Sequence, residues 1–347
     1  MTKAITIKDI AKDAGVCIKT VSRVINNYPH VSEDIRKRVW QSVDAFGYIP
    51  NEMGKRLALR KNGHPVRIGD IGCILFSNYE KYSEPYTAEI LDELDRVLLK
   101  MGIRNHFTYT LDELADRSLF INTVNPNVIG GCLLIGLSDQ HMAEIDKIRK
   151  KVKCLVLLGR IKNNTVSCVH PDGFMGGFLA TNYLINMGHR RIGCIVGYLE
   201  KHSDTKLRFN GYKKALEEAG IPYDEALVKE GKFSIEEAVK ATDSLLKMDT
   251  LPTAIYSVSD PMSIGVYKAI QKKGLQIPRD ISVISFDNIN LAPHLYPALT
   301  TIGMDKKEMV KMALQVLISE MEGKGTPGIK ITFPVELIER QSCRKLA

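Results

Sequence analysis

Beyond residue 66, short apolar runs alternate with amphipathic stretches along the rest of the 347-residue chain. The runs at 71–76, 130–135 and 192–196 have the length of buried strands, and the stretches at 86–101 and 174–187 have helical spacing. Parallel strands need crossover connections, so this alternation predicts parallel sheets with helices on both faces. The segment is longer than a single hydrophobic core usually covers, and two lobes are therefore expected.

The first 47 residues have helical spacing and lack a strand pattern. Apolar residues at 7, 10, 11 and 14 predict one helix, with Thr6 as its N-cap. Residues 20–25 predict a second helix, and Ser32 is placed to cap a third that closes at Gly47. Three short helices around a small core are typical of an all-α helix-turn-helix module.

Positive charge is concentrated in this module. The first 64 residues hold 12 Lys and Arg against 6 Asp and Glu, a net +6 of the chain's +8, and the isoelectric point is about 9.0. A basic module on a nearly neutral body indicates a polyanionic partner such as nucleic acid. Charge alone leaves open the alternative of a merely solvated basic face.

The predicted second helix places Ile18, Lys19, Ser22 and Arg23 on one side. Arg23 can bond bidentately to guanine in the major groove. Ser22 and Thr20 can hold phosphate oxygens. This side of the helix therefore has the chemistry of a DNA-reading surface.

The surrounding sequence resembles the LacI/GalR family of transcription regulators. Residues 6–26 match the pattern T-I-x-D-[IV]-A-x-x-A-G-V-S-x-x-T-V-S-R-V-[IL]-N except at Cys17. Further matches lie at 31–33, 47–51, Leu57, 188–192, 259–260, 280–287, 299–302 and 339–342. The resemblance implies a core of two periplasmic-binding-protein-like lobes and a homodimer. It also implies a double-stranded, pseudo-palindromic DNA operator read in successive major grooves, with repression as the family default.

The resemblance also implies which residues contact DNA. Ile18, Lys19 and Arg23 match base-reading positions, and Leu57 matches a leucine that wedges into the central base step from a hinge helix. The candidate DNA-binding residues are Thr6, Cys17, Ile18, Lys19, Thr20, Ser22, Arg23, Asn26, His30, Ser32, Asn51, Lys55, Arg56 and Leu57.

Two residues depart from the family pattern. Cys17 replaces the serine N-cap of the recognition helix, and its weaker acceptor loses about 0.5–1 kcal/mol of capping. A helix N-terminus and nearby Lys19 could instead lower the thiol pKa and permit redox control, with simple packing as the alternative. Gly54 replaces alanine in the hinge, at a cost of about 1 kcal/mol, so we expect Gly54→Ala to strengthen operator binding.

In the family, a small-molecule effector lies between the lobes. Arg208 matches the arginine with which members of the family bind the effector, and Asp287 matches the carboxylate that binds hydroxyl groups of the ligand. Asp260 also follows a predicted strand, Asp172 lies near the expected lobe crossing, and Tyr86 could stack on a pyranose face. Structural alternatives exist: Arg208 can pair with a lobe carboxylate, Asp260 can cap a helix, and Tyr86 can be a core residue at a helix start.

Carboxylates with an arginine and an aromatic residue suit a polyhydroxylated ligand, so a sugar or sugar derivative is the expected effector. A purine site would favour more aromatic stacking, and aromatic residues are only 7% of the chain. A nucleobase, or a phosphorylated carrier protein acting as corepressor, are the alternatives.

Other functions are not expected. No G-x-G-x-x-G, P-loop or G-x-S-x-G motif follows a strand, and the seven cysteines lack metal-binding spacing, which argues against an enzyme, a cofactor or a metal site. No apolar run is long enough for a membrane span, and no secretory signal precedes the module, so a cytoplasmic location is expected.

The predicted domains are a headpiece (1–48), a hinge helix and linker (49–65) and an effector-binding core (66–347). Within the core, the N-lobe covers about 66–171 and 304–334, and the C-lobe about 172–303 and 335–347. No leucine heptads precede Ala347, so a dimer is expected rather than a four-chain assembly.

Overall fold

The headpiece is a three-helix module. The structure, a computed structural model, describes residues 5–48, 70–76, 84–162, 165–199 and 203–346. Within 5–48 the helices are α1 (Ile7–Asp13), α2 (Ile18–Ile25) and α3 (Glu33–Ala45). Residues at helical spacing, among them Ile10 and Val21, form its core. The predicted all-α headpiece is confirmed.

Local chemistry sets the helix starts in the headpiece. The backbone N–H of Thr6 donates to the Asp9 carboxylate over 2.8 Å, as in a capping box. Ser32 and Cys17 occupy the N-cap positions of α3 and α2, but neither side chain makes a capping hydrogen bond. Ser32 therefore occupies the predicted N-cap position, but the capping hydrogen bond from its side chain is not formed. Gly15, at φ +64°, makes the turn between α1 and α2.

Two six-stranded sheets form the core of the described residues. All neighbouring strands are parallel except β10 and β12. In spatial order, the N-lobe sheet holds β11 (Lys330–Phe333), β5 (Ser167–Pro171), β4 (Cys154–Leu158), β3 (Gly131–Ile135), β1 (Ile71–Leu75) and β2 (Asn105–Thr110). The C-lobe sheet holds β12 (Glu336–Ile338), β10 (Thr300–Gly303), β9 (Ser282–Phe286), β8 (Ala254–Ser257), β6 (Ile192–Val196) and β7 (Val228–Glu230).

Helices cover both sheets, which is why most strands are buried along their whole length. The N-lobe helices are α4 (Pro85–Met101), α5 (Arg117–Thr123), α6 (Met142–Arg149) and α11 (Lys306–Met321). The C-lobe helices are α7 (Gly173–Asn186), α8 (Ser203–Glu218), α9 (Ile235–Leu245) and α10 (Asp260–Lys272). Among the described residues, no helix has the length and apolar character needed to cross a membrane.

Within the described residues, the chain crosses between the sheets at 171–173, 303–306 and 333–336. The carboxyl ends of strands from both sheets therefore face each other at the lobe boundary. In open α/β sheets this edge is where ligands bind.

Close backbone packing fixes the position of α8. A Cβ on Gly177 of α7 would lie 1.9 Å from the Arg208 carbonyl oxygen, and one on Gly211 of α8 would lie 2.1 Å from that of Phe174. Glycine is required at both positions because the two backbones touch. The glycines of α7 therefore serve to hold α8, and with it Arg208, at the lobe boundary.

Candidate functional site

The predicted DNA-reading face, formed by Ile18, Lys19, Ser22 and Arg23, lies on the outside of α2. Lys19 and Arg23 are exposed, and Ile18 is 44% exposed although it is a large apolar residue. Val21 on the opposite side is fully buried. One side of α2 is thus buried in the headpiece core, and the basic side is exposed to solvent.

The other headpiece candidates surround this face. Asn26 extends α2 and donates from its side chain to the Ser22 carbonyl over 2.7 Å. All the described candidates are exposed or half-buried, namely Thr6, Cys17, Ile18, Lys19, Thr20, Ser22, Arg23, Asn26, His30 and Ser32. The hinge candidates Asn51, Lys55, Arg56 and Leu57, and the Gly54 departure, lie outside the described residues.

Cys17 begins the recognition helix with an exposed thiol. Its Sγ lies 3.2 Å from the Thr20 hydroxyl oxygen. This hydrogen bond lowers the pKa of the Cys17 thiol, and the backbone N–H of Thr20 lowers it further by a smaller amount. Hydrogen bonds to a thiolate favour the charged form, so the shift comes mainly from Thr20, and redox control of Cys17 stays a prediction beside simple packing.

A cavity of about 120 Å³ lies between the lobes, at the carboxyl ends of the strands. Its lining includes three of the predicted effector residues: Tyr86 at the start of α4, Arg208 on α8 and Asp287 directly after β9. Gly136 and Gly159, which follow β3 and β4, are part of the N-lobe wall. We call this space the interlobe cavity.

Arg208 and Asp287 form a buried ion pair in this cavity. Arg208 Nη1 lies 3.1 Å from Asp287 Oδ1, and the two side chains are 10% and 5% exposed. The same nitrogen donates to the Val258 carbonyl, and the guanidinium lies 3.7 Å above the Phe286 ring. Burial raises the pKa of Asp287 to about 6, although Arg208 opposes the shift. Burial and the ion pair thus act on the pKa of this carboxyl in opposite directions.

Buried polar atoms around the pair lack hydrogen-bond partners among the described residues. They include Arg208 Nε, Asp204 Oδ1 and Ser259 Oγ, all from residues that line the cavity. Buried polar groups in proteins are nearly always satisfied, so unpaired ones on residues that line a cavity favour a polar ligand there. Sequence reasoning missed Asp204 and Ser259. Asp204 could have been found, because it precedes Arg208 by one helical turn and shares its face of α8.

Asp260 is not part of the cavity lining. It is fully buried behind it, where its carboxylate accepts from the Ile289 N–H over 2.9 Å and the Thr301 hydroxyl over 2.6 Å. Burial and the nearby Asp287 raise the pKa of Asp260 to about 7. Asp260 therefore ties the start of α10 to strand β10 and to the loop after β9. The sequence alternative, in which Asp260 caps α10, is not what the structure shows, because Ser259 occupies the N-cap position.

Asp172 is also absent from the cavity lining. It is the N-cap of α7, where its side chain accepts from the Met175 N–H over 2.9 Å. The structure therefore brings together Tyr86, Arg208 and Asp287 and leaves Asp172 and Asp260 outside.

The charged lining is predominantly acidic. Among the described residues, the cavity lining holds three carboxylates, those of Glu84, Asp204 and Asp287, and one guanidinium, that of Arg208. Glu84 is held in place because its carboxylate accepts from the N–H groups of Tyr86 and Thr87 at the start of α4. Such a lining accepts hydrogen bonds from hydroxyl or amino groups and repels anions.

Comparison with known proteins supports both parts of this description. Residues 6–51 match the family described as bacterial regulatory proteins, lacI family, and residues 181–343 match a periplasmic binding protein-like domain. The HTH-type transcriptional repressors PurR of Photorhabdus laumondii and Aliivibrio salmonicida are 32% and 30% identical to the chain. These matches cover 97% and 98% of the chain and 96% and 99% of the relatives.

A solved structure described as a complex of the transcriptional regulator CelR with cellobiose is also similar. It superposes with a TM-score of 0.72 at 28% identity, over 97% of this chain and 99% of that one. The two-lobe arrangement with its headpiece is therefore a known architecture.

Proposed function

The chain belongs to the lacI family of bacterial regulatory proteins, and we propose that it represses transcription as a homodimer controlled by an uncharged sugar. The sugar, a single-ring compound or its neutral derivative, occupies the interlobe cavity. Two headpieces bind the halves of a pseudo-palindromic operator through their DNA-reading faces.

Two surface residues support the homodimer. Leu99 on α4 is 82% exposed and Tyr296, which follows β9, is 90% exposed. Aromatic residues are enriched at contacts between proteins, and covering an exposed apolar side chain such as Leu99 is favourable. A symmetric dimer would cover both residues and present two recognition helices to the two halves of the operator.

The observation that carries the effector proposal is the set of unpaired polar atoms around the Arg208–Asp287 pair. A sugar hydroxyl both donates and accepts, so it can satisfy Asp204 Oδ1, Arg208 Nε and Ser259 Oγ together. The cavity of about 120 Å³ is smaller than one of about 150 Å³ that accommodates benzene, so its size favours a single compact ring over a larger ligand. Its acidic lining disfavours phosphorylated sugars.

A nucleobase is the second candidate, favoured by the names of the PurR relatives. A neutral base could donate its N–H groups to Asp204 and Asp287. Among the described lining residues, however, only Tyr86 and Phe233 are aromatic, whereas several carry hydrogen-bonding groups. The polar set therefore suits a ring bearing hydroxyl groups better.

The test measures thermal unfolding of the full chain against neutral monosaccharides, sugar phosphates and nucleobases. A ligand at 100 times its Kd stabilises by about 2.7 kcal/mol, which is readily detected. We expect a response to one neutral sugar that is lost in Asp204→Asn and retained in Asp224→Asn. Asp224 is a suitable control because its ion pair with Arg191 lies on the surface, away from the cavity.

The active sugar is then added to an operator that was selected from random DNA with the wild-type chain. A change in operator affinity that depends on Asp204 is expected. A response only to nucleobases, or only to sugar phosphates, would overturn the sugar assignment. Failure to select any DNA would overturn the regulatory role.

A further inference from the structure

Helix α5 of the N-lobe lies against the headpiece. Phe120 and Val124 pack into the N-lobe core, whereas Ile121, 5% exposed, belongs to the same apolar cluster as Val21 and Val24 of α2. The short helix thus contributes to two cores at once. Without the headpiece, Ile121 would lose its apolar surroundings.

Side chains of α5 also complete the C-terminal end of α2. The last carbonyl groups of a helix have no partner within it. The carbonyl of Ile25 accepts from the Ser118 hydroxyl and from the Asn122 side-chain amide, the latter over 2.9 Å. The N-lobe therefore supplies hydrogen bonds that α2 cannot make by itself.

A third group of contacts involves α3. Arg117 donates from Nη2 to the Trp40 carbonyl over 2.8 Å, pairs with the Asp44 carboxylate, and lies with its guanidinium 4.5 Å from the centre of the Trp40 ring. The Asn27 amide donates to Asp116, the N-cap of α5, over 3.3 Å. Apolar, hydrogen-bonding and ionic contacts thus all join α5 to the headpiece.

The contacts leave the DNA-reading face open. They involve the C-terminal end of α2 and one side of α3, while Lys19 and Arg23 stay exposed. A headpiece attached in this way can still approach DNA. The attachment therefore orients the recognition helix and does not cover it.

We propose that α5 with Asp116 is a docking surface that holds the headpiece on the N-lobe in the absence of DNA. The docked headpiece presents its recognition helix in one orientation, so less freedom is lost when the operator binds. This inference rests on the proposed function for its DNA-binding consequence, but docking itself does not depend on it.

The chain's single tryptophan, Trp40, reports docking directly. Time-resolved fluorescence anisotropy of the full chain without DNA should give one slow decay in the wild type, because a docked headpiece tumbles with the core. Asn122→Ala, alone and combined with Arg117→Ala, should add a fast nanosecond component from a released headpiece. Asn122 does not touch Trp40, so its substitution leaves the fluorophore's contacts intact.

Arg149→Ala is the matched control. Arg149 is a partly exposed arginine on α6 of the same lobe, paired with Asp146 on its own helix. This variant loses the same charge and should keep the single slow decay. Circular dichroism of each variant checks that the core stays folded.

Operator affinity provides the second readout. The Arg117→Ala/Asn122→Ala variant should bind the selected operator about fivefold or more weakly, the low end of ordinary coupling between sites. A fast component already present in the wild type, or absent from the double variant, would overturn docking. Release of the headpiece with unchanged operator affinity would overturn its role in presentation. The anisotropy measurement needs no DNA, so its failure is distinguishable from that of the proposed function.

Discussion

Replacing Asp287 with asparagine should stabilise the ligand-free protein at neutral pH. Burial raises the pKa of Asp287 from 3.8 to about 6 despite the adjacent Arg208. A carboxyl whose pKa is higher in the folded state binds protons better there, so its ionisation weakens folding. The destabilisation is absent when the pH is below the unfolded-state pKa, and it is complete when the pH is above the folded-state pKa. Asparagine has the shape of the carboxyl but never ionises.

The size of the effect follows from this difference. About two pKa units correspond to about 3 kcal/mol, so Asp287→Asn should gain up to about 3 kcal/mol at pH 7.5. At pH 4.5 the native carboxyl is protonated, and the gain should fall to about 1 kcal/mol.

Urea unfolding followed by circular dichroism, at both pH values and without effector, measures the gain. Asp224→Asn is the control, since removing a surface ion pair should change stability by about 0–1 kcal/mol. The opposing argument is that breaking a buried ion pair leaves Arg208 uncompensated and costs about 3–5 kcal/mol. A loss of stability at pH 7.5 would refute our reasoning and show that the ion pair outweighs the burial penalty. The stabilised variant should also lose its response to the effector.

Three further results are expected. Iodoacetamide should alkylate Cys17 first among the seven cysteines, all of which lie in the described residues. Cys17 is the exposed cysteine, and its thiol pKa is lowered. Mass spectrometry that shows equal labelling of another cysteine would contradict this. Gly177→Ala should lower the free energy of unfolding by about 1–3 kcal/mol, since its Cβ would meet the Arg208 carbonyl, and an unchanged Tm would argue against that close contact. Leu99→Glu with Tyr296→Glu should yield monomers in analytical ultracentrifugation, whereas an intact dimer would exclude these residues from the interface.

Local patterns along the chain were enough to predict the fold class. Helical spacing in the headpiece and the alternation of apolar runs with amphipathic stretches depend on which side of each element is buried, and that is a property of neighbouring residues. The lacI-family resemblance then singled out Arg208 and Asp287 as candidates. Both line the interlobe cavity.

The tertiary structure decided which polar side chains share that cavity. Asp260 and Asp287 both lie just beyond a strand of the C-lobe sheet, yet one bonds Thr301 and Ile289 in the interior and the other faces Arg208. Asp204 lines the cavity because α8, held by close backbone contact with α7, places it there. The direction of a side chain at the end of a strand or helix depends on segments that are distant in sequence, and periodicity within one segment carries no information about them.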